Sequence, residues 1–248
     1  MSNFAHDRVV PFKDSKLTKK QQVAQMFDGI AFRYDFLNHF LTAGVDVWWR
    51  KKAILQLKSI HPQTMLDVAT GTGDVALLTH KLLQPKKIIG IDISDGMLQL
   101  GKAKIKKARL ENTIQLVNAD SENIPFPDNT FDAITVAFGV RNFEHLEVGL
   151  TEMLRVLKPG GKLAVLEFSQ PKNKIFRVLC HFYNNVIVPG AGRLFAKNKD
   201  AYNYLNQSAR VFPEREKFTN ILTKSGYQNA NYKPLSLGIC CMYLAEKK

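Results

Sequence analysis

Cysteine is scarce in this 248-residue chain. Its three cysteines, Cys180, Cys240 and Cys241, form no framework and no C-x-x-C pair. That argues against a disulfide-stapled secreted domain and favours a reducing, cytoplasmic setting. The six histidines are scattered, and none stands near cysteine or carboxylate at a ligand spacing, so no metal site is expected. No apolar run approaches the ~20 residues that span a bilayer. The first twenty residues hold no apolar h-region, so no secretory signal is expected. Internal repeats, low-complexity tracts and a domain linker are missing too. One domain over residues 1–248 is the reading, long enough for a sizeable core with an accessory cap.

Acid is in short supply. Thirty-five Lys and Arg stand against 22 Asp and Glu, a net charge of +13, in a chain with the 45% apolar content of an ordinary globular protein. A field of that sign attracts nucleic acid, an acidic substrate or an anionic membrane face. The bases gather in KDSKLTKK (13–20) and GKAKIKKARL (101–110), where a solvated tail and a solvated helix face are the plainer alternative.

What is present is alternation. Residues 18–42 repeat Val23, Met26, Phe27, Ile30 and Tyr34 at helical spacing, a cap that extends over 18–55. Strands are then expected at 65–69, 87–92, 113–119, 131–138 and 162–168, with helices at 74–83, 95–108 and 144–157. K-P-G-G (158–161) is expected to end the last helix in a turn. This order predicts an α/β, doubly wound, mostly parallel sheet. Residues 172–212 belong to no βα unit. After them come a helix at 215–226 and two strand-like runs, NANYKPL and GICCMYLAE, expected to pair as an antiparallel hairpin.

LDVATGTGD (66–74) reads as a strand running through a glycine turn into a helix, a place where backbone N–H groups converge. On spacing, Gly71-Thr72-Gly73 opens a dinucleotide pattern. Asp92, twenty-one residues after Gly71, can bind a ribose hydroxyl. Dinucleotides and S-adenosylmethionine both carry that ribose, so Asp92 does not separate them. Asp67 does more. It lies inside the first strand, where dinucleotide folds want an apolar residue, and it can orient the turn or receive an ammonium. The alternative is a structural acid bonding the loop. Asp120 and Ser121 follow the third strand, where polar groups can meet an adenine edge.

This run resembles the class I S-adenosylmethionine-dependent methyltransferases, a Rossmann-like fold. RVLKPGGKLAVLEFS (155–169), AFGVRNF (137–143) and YDFLN (34–38) with Trp48-Trp49 resemble the signatures of the ubiquinone/menaquinone biosynthesis C-methyltransferases. The resemblance covers residue 22 to the C-terminus. Leu37, Thr42, Asp46 and Ala137 depart from the usual Met, Ser, His and Ser.

The resemblance implies methyl transfer from S-adenosylmethionine to a ring carbon of a reduced polyprenyl quinone: demethylmenaquinol, its benzoquinol counterpart, or both. The implied cofactor residues are Asp67, Gly71, Thr72, Gly73, Asp92, Asp120, Ser121 and Ala137. Arg141 is the candidate cation for the quinolate oxygen, Asn142 a residue that positions it or bonds the second ring oxygen, and Tyr34 a residue that closes over substrate. For Arg141 a structural salt bridge is the alternative, for Tyr34 a place in the helix core, and for His145 as a base a surface position at a helix start. An isoprenoid tail needs an apolar groove, and 175–195 could line one or lie on a membrane surface. Cytosine C5 chemistry needs a cysteine after Pro or Thr, and adenine chemistry a D/N-P-P-Y/F turn. Both are missing, so no nucleic-acid partner is expected. A cofactor-binding scaffold without turnover is the non-enzymatic alternative. The oligomeric state is open between monomer and homodimer.

Overall fold

In the computed structural model the described residues are 4–42, 44–173 and 199–248, without the side chains of 33–41, 199 and 202. The 175–195 segment and the side chain of Tyr34 lie outside them. Seven strands form one sheet: β1 Thr64–Val68, β2 Lys87–Asp92, β3 Ile114–Asn118, β4 Phe131–Ala137, β5 Leu157–Phe168, β6 Gln228–Leu235 and β7 Cys240–Glu246. Their order is β3-β2-β1-β4-β5-β7-β6. β1 to β5 run parallel, and β7 is antiparallel to both β5 and β6. The expected doubly wound sheet with its C-terminal hairpin is what the chain forms.

The helices are α1 Lys19–Leu41, α2 Val45–Gln56, α3 Asp74–Leu83, α4 Asp95–Ala108, α5 Leu146–Val156, α6 Lys199–Val211 and α7 Glu216–Lys224. The sheet is covered on both faces, so its central strands are apolar on both sides. Leu66, Val68 and Ile134 pack on one face with α5 and α7, while Met65 and Ala133 pack on the other with α3 and α4. Burying such a side chain contributes about 1.5–3 kcal/mol. Val23, Met26 and Ile30 of α1 are buried against Met97 of α4 and Ala201 and Tyr204 of α6. The cap thus closes over the sheet's carboxyl edge. Asp28 of α1 holds it there, accepting hydrogen bonds from Ser94 Oγ (2.6 Å) and the Gly96 N–H (2.8 Å) at the start of α4.

One boundary differs from expectation. Strand β5 begins at Leu157, immediately after α5, rather than at 162. The K-P-G-G residues bulge from it: Leu157 pairs with Phe131, and Lys162 already with Ala133. The bulge is held by β7's tail, since the Gly160 N–H donates to Lys247 O and the Lys247 N–H to Gly161 O, both at 3.0 Å. Proline and glycine here shape a β-bulge instead of a separate turn.

Candidate active site

The chain leaving β1 turns sharply. Ala69, Gly71 and Gly73 all have left-handed φ, at 53°, 56° and 78°. Asp67 organises this turn from beneath. It is buried, and its two carboxylate oxygens accept hydrogen bonds of 2.6 Å from the hydroxyls of Thr70 and Thr135. Burial pushes its carboxyl up to about 6, against the lowering effect of the two hydroxyls. Room for Thr70 comes from Gly90 on β2, where an added Cβ would lie 2.7 Å from Thr70 Oγ1. Asp67 therefore supports the turn, and it is not among the residues that line the cleft above.

That cleft, about 670 Å³ and partly open to solvent, lies over the carboxyl ends of β1 to β4. Gly71, Asp92, Asp120, Ser121, Ala137 and Asn142 line it, six of the residues expected at the site. Asp92 Oδ2 accepts the Gly71 N–H at 2.8 Å and Oδ1 the Ser94 N–H at 2.9 Å. Burial raises its pKa, and the backbone N–H bonds oppose that. Asp120 accepts the ammonium of Lys20 and the Glu122 N–H. Lys20 and Phe27 of α1 form part of the roof, and the Lys19 N–H donates to Glu144 Oε1 on the opposite wall at 3.0 Å. His145, the alternative base, is tied to Glu122 Oε2 at 2.9 Å at the rim.

Thr72 and Gly73 face elsewhere. Thr72 is buried and its Oγ1 accepts from Lys104 Nζ of α4 at 2.9 Å. Lys104 also reaches Asp74 (2.6 Å), which meets Arg50 of α2 (3.2 Å). Gly73 holds its left-handed φ of 78° beside α4, and a Cβ on Gly101 of that helix would lie 3.0 Å from the Thr72 carbonyl carbon, so glycine at 101 is what lets α4 approach. Both residues shape the turn from behind and stand outside the cleft lining.

Arg141 departs furthest from expectation. It is only 3% exposed, and Glu167 beside it is fully buried. Its Nη1 donates to Glu167 Oε1 at 2.5 Å and to Phe138 O at 2.7 Å. Burial raises the Glu167 pKa, with Arg141 opposing. The charge expected at the reacting edge is thus spent on an internal ion pair behind the cleft wall. Asn142, next in the chain, does reach the cleft, and its Oδ1 is buried without a partner among the described residues. Beside it Phe138, Phe168 and Trp49 make an aromatic wall, with Phe138 and Phe168 centroids 4.6 Å apart.

The donor set fits an elongated nucleoside cofactor without phosphate. Asp92 offers a carboxylate on one wall, Asp120 and Ser121 line the far end, and Gly71, Ala137 and Gly139 keep side chains short between them.

The sequence comparisons agree. A model of the ubiE/COQ5 methyltransferase family matches residues 15–247. The chain belongs to that family. It is 45% identical over 246 residues, 99% of this chain and all of the relative, to the demethylmenaquinone methyltransferase of Bacteroides fragilis. It is 44% identical over 94% of its length to the ubiquinone/menaquinone biosynthesis C-methyltransferase UbiE of Geotalea daltonii, covering 99% of that protein. Among solved structures, a methyltransferase from Methanococcus maripaludis shares the fold, with TM-score 0.58 at 23% identity over 96% of this chain and 97% of that one.

Two of this methyltransferase's departures from the family signature prove to be linked. Thr42 Oγ1 donates to Asp46 Oδ1 at 2.8 Å, and Asp46, buried, pairs with Arg50 at 3.3 Å. An acid in the histidine's place is thereby neutralised within its own helix and coupled through Arg50 to Asp74. Sequence reasoning missed Glu167, Lys20, Asp28 and Gly139. Glu167 could have been found, since an acid inside the apolar run LAVLEF demands a buried partner. Gly139 stands where an added Cβ would lie 2.5 Å from Ala69 Cβ, so β1 and β4 approach each other there only because it is glycine. Lys20 and Asp28 carried no signal beyond charge on an amphipathic helix.

Proposed function

We propose that this enzyme transfers the methyl group of S-adenosylmethionine to a ring carbon of a reduced polyprenyl quinone, with demethylmenaquinol giving menaquinol as the main reaction. The benzoquinol intermediate of ubiquinone biosynthesis is a second acceptor of the same chemistry. The observation that carries this reading is the end-to-end match to the Bacteroides relative of that name. The geometry supports it with a cleft lined by Asp92, Asp120 and Ser121 that adjoins an aromatic wall.

Bound in the cleft, S-adenosylmethionine supplies an electrophilic methyl group carried on a sulfonium. Asp92 would hold the ribose hydroxyls, and Asp120 with Ser121 the adenine edge once Lys20 yields. Ala137 leaves space at the end of β4. Asn142 Oδ1, buried and uncommitted, accepts a hydrogen bond from an acceptor hydroxyl and so orients the ring. Phe138 and Phe143 line the same cleft and exclude water, which favours charge-annihilating transfer between a quinolate and a sulfonium. Arg141 acts through position: its pair with Glu167 and its bond to Phe138 O fix the 138–142 turn that presents Asn142. Tyr34, from the cap, closes over the acceptor.

The acceptor lies in a lipid phase, so the enzyme works in the cytoplasm at the inner face of the cell membrane. Among the described residues no helix is long and apolar enough to cross it. The test uses purified protein, S-adenosylmethionine and chemically reduced demethylmenaquinol in detergent micelles, with the oxidised quinone as control. Gain of one methyl in the reduced sample alone is expected. Cofactor binding without methylation of either naphthoquinol or benzoquinol overturns the reading.

A further inference from the structure

Helix α2 divides cleanly along its length. Asp46, Trp49, Arg50, Ala53 and Ile54 are buried, and the opposite half faces solvent. That solvent half is unusual for its first turn: Val45, Val47 and Trp48 are exposed, at 38%, 44% and 45%. Lys51 and Lys52 follow on the same side, also exposed, with Lys52 Nζ 5.5 Å from the centre of the Trp48 ring. Neither lysine is ion-paired to a described residue. An apolar turn carrying a tryptophan, followed by two cations one turn on, is the order of groups met on crossing from acyl chains to lipid phosphates.

Topology puts this turn where it matters. The C-terminal end of α2 leads to the start of β1, so its first turn stands at the sheet's carboxyl edge, the edge over which the cleft lies. The turn between β6 and β7 reaches the same edge, because β6 runs in the direction of β5. Trp49 Nε1 donates to Ser236 Oγ there at 2.8 Å, joining α2 to that turn. The next residue, Leu237, is 65% exposed and holds a left-handed backbone at φ 59°. A leucine kept in solvent in a conformation that disfavours it packs nothing inside the fold.

We propose that the first turn of α2 together with Leu237 is the surface by which this methyltransferase docks on an anionic lipid bilayer, with Lys51 and Lys52 at the phosphates. The net charge of +13 supplies the long-range attraction, and the apolar side chains supply a short insertion. Docked this way, the carboxyl edge and its cleft face the membrane. The inference deepens the quinol reading by giving the acceptor its route, and it concerns residues outside the described cofactor and acceptor contacts.

The experiment measures sedimentation of the full chain with phosphatidylcholine vesicles, with and without phosphatidylglycerol. Two variants accompany it, Trp48→Ser/Leu237→Ser and Lys51→Glu/Lys52→Glu. Wild type should bind the anionic vesicles in a salt-sensitive way, and each variant should bind about tenfold more weakly. Methyl transfer to acceptor in detergent micelles should be unchanged in both, while transfer to acceptor embedded in the vesicles should fall. Variants that bind vesicles like wild type, or a wild type that ignores phosphatidylglycerol, overturn the proposal. So does a dimer that Trp48→Ser/Leu237→Ser dissociates while vesicle binding persists, which would make the patch an interface between copies. Patch-dependent binding without methylation of any quinol in micelles supports the docking and removes the quinol reading instead.

Discussion

The two halves of the sheet's carboxyl edge handle charge in opposite ways. On the side of β1 to β3, carboxylates reach the cleft: Asp92 and Asp120 line it, held by backbone N–H groups and one lysine. On the side of β4 and β5, the charges are withdrawn. Arg141 and Glu167 pair inside the protein, and a neutral amide and aromatic rings line the cleft beside the end of β4, while Glu144 further along that wall is engaged by the Lys19 N–H of the cap. The first half presents hydrogen-bond acceptors of the kind that a polar cofactor needs. The second keeps its surroundings dry, so that the opposite charges of the reactants, which disappear as the methyl moves, are poorly solvated before transfer.

The largest expected effect tests whether the Arg141–Glu167 pair is scaffold. Arg141→Ala or Glu167→Ala leaves a buried charge alone and should cost about 3–5 kcal/mol in urea unfolding. Arg141→Met/Glu167→Leu, removing both charges, should recover most of that. Asn142→Ala should unfold within about 1 kcal/mol of wild type yet lose turnover with little change in cofactor affinity. If Arg141→Ala stays stable and loses turnover alone, the guanidinium acts on substrate and the contrast between the halves is wrong.

On the cofactor side, Asp67 should show itself through pH. Its folded pKa of about 6 lies above the ordinary 3.8, so the folded state holds the proton more tightly than the unfolded chain does. Its contribution to stability is therefore full below about pH 4 and is lost as pH rises through about 6, by roughly 3 kcal/mol. Asp67→Asn should flatten that limb of the stability–pH curve. An unchanged slope between pH 4 and 6 means that the carboxylate is better solvated than its burial indicates.

The contrast between the halves also explains what could be read from sequence. Strand and helix order followed from apolar periodicity, because β1, β2 and β4 are buried on both faces and their helices on one. That Gly71 and Asp92 share the cleft was readable because the contact is local: they sit at the ends of adjacent strands, a spacing set by one βα unit. At Arg141 the sequence left a cation at the reacting edge and a structural ion pair as alternatives, because its partner lies 26 residues away, on β5. Only the sheet's register brings Glu167 beside it. Thr72 and Gly73 matched a pattern, yet the pattern does not reveal which way a side chain turns, and Lys104 of α4 decides that for Thr72. K-P-G-G reads as a turn in one dimension and becomes a bulge because Lys247, at the far end of the chain, pairs with it.

Gly139 is where the two halves touch. Gly139→Ala places a Cβ 2.5 Å from that of Ala69, and overpacking of this kind costs about 1–3 kcal/mol. Since Ala69 and Gly139 both line the cleft, cofactor affinity should fall with stability. Ala69→Gly removes the opposing methyl and relieves a left-handed alanine, so Ala69→Gly/Gly139→Ala should regain both. A double variant as weak as Gly139→Ala alone would locate the strain in Val136, whose Cγ1 lies 3.3 Å from the added atom.

The smallest effect concerns how the cap and the cofactor share Asp120. Lys20, about a third exposed, pairs with Asp120 and lies 3.4 Å from Glu122, and a partly solvated pair of this kind contributes about 0–1 kcal/mol. Lys20→Met should therefore leave the unfolding midpoint almost unmoved. It frees Asp120, so calorimetric titration with S-adenosylmethionine should show affinity rising by up to about fivefold, the equivalent of 1 kcal/mol. Added salt should raise wild-type affinity in the same direction by weakening the pair, and should leave the variant unaffected. A fall in affinity would give Lys20 the opposite role. The cap would then bring a cofactor ligand of its own, and the polar half of the edge would be completed by α1 rather than guarded by it.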